Sequence, residues 1–117
     1  MQFTTSIKNN YEFRNIYKKG SFYSNKYLVA YKIPNNLNSN KLGICVSKKV
    51  GNSVTRSRVT RLIKESYRLL ETNLSVGWDI VIVARVVSAQ SNYHDINKAL
   101  NQLLYKHKIL EKKEGKI

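Results

Sequence analysis

Lys48-Lys49-Val50-Gly51-Asn52-Ser53-Val54-Thr55-Arg56-Ser57-Arg58-Val59-Thr60-Arg61-Leu62-Ile63-Lys64-Glu65-Ser66-Tyr67-Arg68 holds four of the chain's six arginines. Lysine supplies most of the positive charge elsewhere. A planar guanidinium forks onto phosphate oxygens and stacks on bases, and an ammonium does neither as well. At about 100° per residue, Val59, Leu62, Ile63, Leu69 and Leu70 share one arc, with Arg61, Lys64 and Arg68 opposite. The spacing predicts a helix from about Ser53 to Glu71, packed on one face and cationic on the other. Lying between strand-like segments, it makes the chain an α+β domain.

Outward from that helix, both flanks read as strands. Lys41 to Ser47 alternates through Leu42, Ile44 and Val46, and Tyr27, Val29, Tyr31 and Ile33 alternate with Leu28, Ala30 and Lys32. Pro34 to Asn40 is a turn-rich loop between them, so the two are expected to pair as an antiparallel hairpin. Asp79-Ile80-Val81-Ile82-Val83-Ala84 is β-branched and apolar on both faces, as a central strand requires. Ser21 to Asn25 is a short edge-strand candidate. Asn9 and Glu12 form a capping pair for a first helix, about Asn10 to Lys19, with Phe13, Ile16 and Tyr17 at helical spacing and Gly20 as the stop. Ile96, Ala99, Leu100, Leu103 and Leu104 mark a last helix opened by Ser91 or Asn92. The predicted order is α-β-β-β-α-β-α. Residues 1–117 form one domain, with 1–6 and 112–117 expected to fray.

The chain has 117 residues, 42% of them hydrophobic, and a net charge of +14 from 21 basic and 7 acidic side chains. That composition suits a single globular core, and such a charge favours a standing polyanion partner. The start lacks an apolar segment of signal-peptide length, and no apolar run approaches ~20 residues. A cytoplasmic protein without a membrane partner is expected. Cys45 is the only cysteine; it sits in an apolar run, which suggests a buried structural thiol.

No catalytic centre is legible. The acids Glu12, Glu65, Glu71, Asp79, Asp95, Glu111 and Glu114 show no spacing of a two-metal nuclease site. His94 and His107 have no cysteine near them in sequence, which argues against zinc. No nucleophile elbow is present.

The chemistry that remains is binding. Arg56 and Arg58 fall in or beside the first turn of the basic helix, where the macrodipole favours acids by ~0.3–1 kcal/mol per charge. That conflict resolves if the helix start faces phosphate, because free amides and guanidinium groups then meet one anion. Lys48 and Lys49 approach the same end, and Gly51 is expected to permit the strand-to-helix turn. A solvated charged face is the plain alternative, but such faces usually mix signs, and only Glu65 interrupts this one. Eight tyrosines and three phenylalanines supply rings. Phe13 and Tyr17 share a helical face, and Tyr23, Tyr27 and Tyr31 lie on nearby strands. Rings beside a basic groove can stack unpaired bases at ~1–3 kcal/mol each.

The ordered motif resembles that of the protein subunits of bacterial ribonuclease P. The family signature runs roughly Lys-Lys-x-Gly-Asn-x-Val-x-Arg-Asn-Arg-x-Lys-Arg-Leu-x-Arg-Glu, and Lys48 to Glu65 follows it. Phe13-Arg14-Asn15-Ile16-Tyr17-Lys18-Lys19-Gly20, Leu28 to Lys32, Gly43-Ile44-Cys45-Val46-Ser47 and Asp79 to Arg85 are similar to family segments in the same order. The likeness spans about residues 7 to 105. Ser57, Thr60 and Lys64 depart from the usual asparagine, lysine and arginine; serine and threonine can still hydrogen-bond phosphate.

The resemblance implies a two-layer α/β sandwich with a left-handed crossover onto the sheet, a departure from the usual hand. It implies the protein component of a ribonucleoprotein that removes the 5′ leader of precursor tRNA by Mg²⁺-dependent hydrolysis. The catalytic centre and most of the Mg²⁺ would belong to the RNA subunit, with no organic cofactor and no obligate protein partner. Lys48, Lys49, Asn52, Arg56, Ser57, Arg58, Arg61, Lys64 and Arg68 would contact the catalytic RNA. Phe13, Tyr17 and Tyr31 would line a cleft for the leader. Two rivals are a general RNA-binding or ribosomal-type protein and a protein-only nuclease.

Overall fold

A computed structural model describes residues 1–110. The elements are β1 (Thr4–Ser6), α1 (Asn10–Lys19), β2 (Ser21–Ser24), β3 (Leu28–Pro34), β4 (Asn40–Cys45), α2 (Ser53–Leu70), β5 (Trp78–Ala84) and α3 (Tyr93–Lys106). Single 3-10 turns follow α2 at Glu71–Asn73 and β5 at Val86–Gln90. The helices begin where capping chemistry puts them. Asn9 accepts from the Glu12 amide, Asn52 from the Thr55 amide, and Asn92 forms a reciprocal box with Asp95.

The five strands run in the order β1-β4-β5-β3-β2. The expected hairpin between β3 and β4 does not form. Instead β5 lies between them, parallel to β4 with Leu42 opposite Ile80 and antiparallel to β3 with Ala30 opposite Ile82. The reason is the apolar character of β5 on both faces: Ile80, Val81 and Ile82 are fully buried. Only the middle of a covered sheet buries both faces of a strand.

Alternation along β5 divides the interior in two. Ile80 and Ile82 join the larger core with Leu28, Ala30, Val59, Ile63, Tyr67, Leu100 and Leu103, beneath α2 and α3. Val81 joins a smaller core with Ile7 and Ile16 beneath α1, flanked by Phe13, Tyr31, Ile33, Cys45 and Val83. The arc predicted for α2 needs correcting at its end. Leu69 is exposed, while Ser66 and Tyr67 face inward.

The N-terminus does not fray as expected. Thr4–Ser6 form β1, parallel to β4, and make the observed order β-α-β-β-β-α-β-α. Glu71 holds the strand in place. Its carboxylate accepts from the Gln2 amide at 2.8 Å and the Phe3 amide at 2.9 Å. The buried Tyr67 hydroxyl lies 3.0 Å from Thr4 Oγ1. Burial pushes the Glu71 carboxyl up, but the bonds from Thr4, Gln2 and Phe3 and the N-terminal ammonium outweigh it and hold the group below its ordinary value. The C-terminal segment expected to fray, 112–117, lies outside the described residues.

His107 closes α3 and is buried, with Nε2 2.6 Å from the Ala30 carbonyl oxygen. The Tyr23 ring sits edge-on at 4.8 Å, and Nδ1 has no partner. Burial, reinforced by nearby Lys32, pushes the imidazole below its ordinary 6.5 against the opposing Ala30 bond. The unfolded ring therefore binds a proton first as pH falls. Stability from this group is complete above 6.5 and is lost as pH drops through that value, until the folded ring also protonates. The urea midpoint of the wild type is expected to fall between pH 7 and pH 5. His107→Gln, which keeps a donor for Ala30, should lose much of that slope.

Candidate nucleic-acid interface

The arginine-rich helix lies against β4, and the groove between them is cationic on one side and apolar on its floor. Ile44 and Val46 form the floor; Ser53, Arg56, Ser57, Thr60, Arg61 and Lys64 form the wall of a hollow of about 500 Å³. The first turn of α2 contains no acid. Arg61 and Lys64 are exposed, and neither meets a carboxylate within 4 Å among the described residues. Lys48 and Lys49 are exposed in the turn before the helix.

A second hollow of about 450 Å³ shares Ile44, Thr60 and Lys64 with the first. It continues past Thr4, Thr5 and Ser6 to Gly43 and Phe13. The path is open because β1 pairs with β4 only as far as Leu42. Beyond that point the edge of β4 carries no neighbouring strand, and the groove rounds it from the α2 face to the α1 face. Gly43 is required here. A β-carbon at this position would meet Phe13 Cε1 at 2.5 Å, so only glycine lets the ring lie flat on the strand.

On the α1 face the aromatic side chains meet. Phe13 and Tyr17 centroids are 6.4 Å apart, and Tyr17 meets Tyr31 edge-on at 5.0 Å. Phe22 adds a fourth ring, 5.4 Å from Tyr31 and exposed. The sequence reading missed Phe22, although its strand had been recognised; the register that sets it opposite Tyr31 is a cross-strand contact. Tyr23 and Tyr27 are not in this cluster. Tyr23 lies against His107, and Tyr27 packs on the larger core. Cys45 is half-buried rather than buried, and its sulfur is 2.9 Å from the Tyr17 hydroxyl. Burial and then the Cys45 contact push the Tyr17 phenol above its ordinary range, so the hydroxyl stays neutral.

Several expected contact residues already have protein partners. Arg58 turns inward, donating from Nη1 to the Ser91 carbonyl at 2.9 Å and from Nη2 to the Ala89 carbonyl at 2.8 Å. It ties α2 to the turn after β5, so its guanidinium fork is occupied within the fold. Arg56 donates from Nε to the Gly51 carbonyl at 3.1 Å, which holds it over the helix start. The Asn52 side chain is the helix cap. Arg68 pairs with Glu65 on the exposed surface. Bonding to Arg68 holds the Glu65 carboxyl below its ordinary value. Gly51 does not adopt a left-handed φ; its small size leaves room for Thr55.

The sequence model of the family described as Ribonuclease P matches residues 1–108. A ribonuclease P protein component from Lachnoclostridium phytofermentans is 53% identical over 109 residues, covering 93% of this chain and 94% of that protein. One from Clostridium botulinum is 54% identical over 101 residues, covering 86% and 91%. The ribonuclease P protein of Staphylococcus aureus superposes with a TM-score of 0.84 at 33% identity, over 91% of this chain and 97% of that one. The ribonuclease P protein from Thermotoga maritima gives 0.80 at 25% identity, over 86% and 96%. The chain therefore belongs to the ribonuclease P protein family, whose work is tRNA 5′ processing together with an RNA subunit.

The two inner arginines of the motif should separate in a stability measurement. Arg58→Ala leaves two carbonyls without their donor and is expected to lower unfolding free energy by ~1–3 kcal/mol. Arg61→Ala removes an exposed side chain and should stay within ~0.5 kcal/mol of wild type. Urea unfolding followed by circular dichroism checks both.

Proposed function

We propose that this ribonuclease P protein grips its RNA subunit along the α2 groove and lays the unpaired 5′ leader of precursor tRNA over the rings of α1, β2 and β3. The observation that supports this reading is the continuous path from Arg56 to Phe13 around the free edge of β4. Cations suit ribose-phosphate, and a row of rings suits unpaired bases. The roles follow from position. Lys48, Lys49, Arg56, Ser57, Arg61 and Lys64 contact phosphate. Arg58 positions α2 and does not contact RNA. Arg68 reaches phosphate by exchanging Glu65. Phe13, Tyr17, Tyr31 and Phe22 stack on leader bases, and the neutral Tyr17 hydroxyl adds no charge repulsion against the backbone.

Each described acid has a protein partner. Glu12 pairs with Lys41, Glu65 with Arg68, Glu71 with backbone amides, Asp79 with Asn35 and Asp95 with the α3 cap. No cluster of three or more His, Cys, Asp or Glu that could hold a metal occurs among the described residues. In the proposed reading Mg²⁺ stays mainly on the RNA subunit, and when bound there it would assist hydrolysis of the leader phosphodiester. The protein's part is to hold RNA and substrate together. No helix of the described residues is long and apolar enough to cross a membrane, and the proposed setting is the cytoplasm.

Two measurements test this. Arg61→Ala should lower the salt slope of RNA-subunit binding by about one unit per lost phosphate contact; an unchanged slope would show that Arg61 is merely solvated. Tyr17→Ala and Phe22→Ala should each weaken binding of a long-leader precursor to the holoenzyme by ~1–3 kcal/mol, while mature tRNA is spared. Equal losses for both substrates would remove the leader role from the cleft.

A further inference from the structure

The end of the sheet where β4 and β5 finish carries more cations than the arginine helix accounts for. Leu28, the first residue of β3, pairs with Ala84, the last of β5, and Ser24 ends β2 opposite Val29. The turn Asn25-Lys26-Tyr27 therefore stands at the same end of the molecule as Arg85 and the start of α3. Between this turn and α3 lies a hollow of about 400 Å³, lined by Asn25, Lys26, Tyr27, Asp95, Lys98 and Gln102.

The turn is built rigidly. Asn25 Oδ1 accepts from the Tyr27 and Leu28 amides at 3.2 and 3.1 Å. Its Nδ2 donates to the Ala99 carbonyl and to Gln102 Oε1, both at 3.0 Å. Arg85 Nη1 donates to the Asn25 carbonyl at 2.7 Å, which sets a third cation beside the turn, outside the lining of the hollow. Lys26 and Lys98 are exposed, and neither has a carboxylate within 4 Å among the described residues. The one acid present, Asp95, is occupied as the α3 cap, where its Oδ2 accepts from the Asn92 amide. The Lys26 ammonium lies 5.3 Å from the Tyr27 ring centroid. Lys26 and Lys98, with Arg85 beside the turn, outnumber the single acid Asp95, and such an excess of cations around a preformed hollow attracts an anion with several oxygens.

We propose that this hollow is a second RNA-phosphate site, held by Lys26, Arg85 and Lys98, distinct from the α2 groove. The proposal rests on the reading of the chain as an RNA-gripping subunit. It extends the contact surface across the end of the sheet, from Lys48 and Arg56, past the 3-10 turn that Arg58 ties down, to the β2–β3 turn. The phosphate could come from the RNA subunit or from the precursor, and the two sources are told apart by titration. Either way the contact is to the sugar-phosphate backbone, so it should be insensitive to base sequence.

The test uses the full chain carrying Lys26→Ala together with Lys98→Ala, both exposed positions whose loss should leave the melting temperature unchanged. Salt slopes are measured for protein binding to the RNA subunit, and for precursor binding to the assembled holoenzyme. A fall of about two units in the first titration assigns the site to the RNA subunit, and in the second to the precursor. Lys18→Ala with Lys19→Ala removes the same formal charge from the other end of the sheet; an equal fall there would overturn a local site in favour of a diffuse charge effect. Wild-type slopes in both titrations, with Arg61→Ala still reduced, would overturn the second site and leave the α2 groove standing. No change in any variant would remove the α2 reading and this proposal together.

Discussion

The burial of β5 on both faces is the constraint from which the arrangement follows. A strand reading Ile80-Val81-Ile82 cannot leave either side wet, and burying such side chains stabilises by ~1.5–3 kcal/mol each. It must therefore be flanked by strands on both edges and covered by helices on both faces. β3 and β4, neighbours in sequence, are separated to flank it. The parallel pairing of β4 and β5 in turn requires a crossover, and α2 is that crossover. The arginine helix is thus fixed by the sheet at the β4 edge, and the smaller core on the second face exists only because Val81 points that way.

That geometry converts two separate features into one surface. The groove beside α2 and the aromatic cleft under α1 lie on opposite faces of the sheet. They communicate because β1 stops at Ser6 and leaves the end of β4 uncovered. Gly43, at that edge, admits the Phe13 ring where any side chain would collide. In the proposed reading a polyanion passes along this surface from cations to rings.

Arginines at the start of a helix oppose its dipole, and in sequence that conflict points outward to phosphate. The fold resolves part of it internally. Arg58 caps the carbonyls of Ala89 and Ser91, and Arg56 leans on the carbonyl of Gly51. A backbone carbonyl oxygen carries enough partial negative charge to hold a guanidinium but no net charge to cancel it, so the field at the helix start remains positive. In the proposed reading the motif combines a brace and a grip, and Arg61 and Lys64, a turn further on and exposed, carry the binding side of that division.

Local periodicity determined much of this protein. The three helices, the boundaries of α1, the central character of the segment at Asp79 and the cationic face of α2 are all set by side chains within a few positions of one another. Capping pairs and 3.6- or 2-residue repeats act over that range. Phe13 and Tyr17 were legible as a pair because helical spacing places them on one face; Tyr31 joined them through the family resemblance, since strand spacing did not separate it from Tyr23 and Tyr27. Tertiary structure decided what depends on distant partners: β5 inserting between β3 and β4, Thr4–Ser6 becoming a strand on the strength of Glu71, Arg58 turning to Ala89 and Ser91, and Phe22 meeting Tyr31. Each rests on a contact whose members are far apart along the chain or on separate strands. A residue's neighbours in sequence fix which way it faces, and only the closed fold fixes what it meets there.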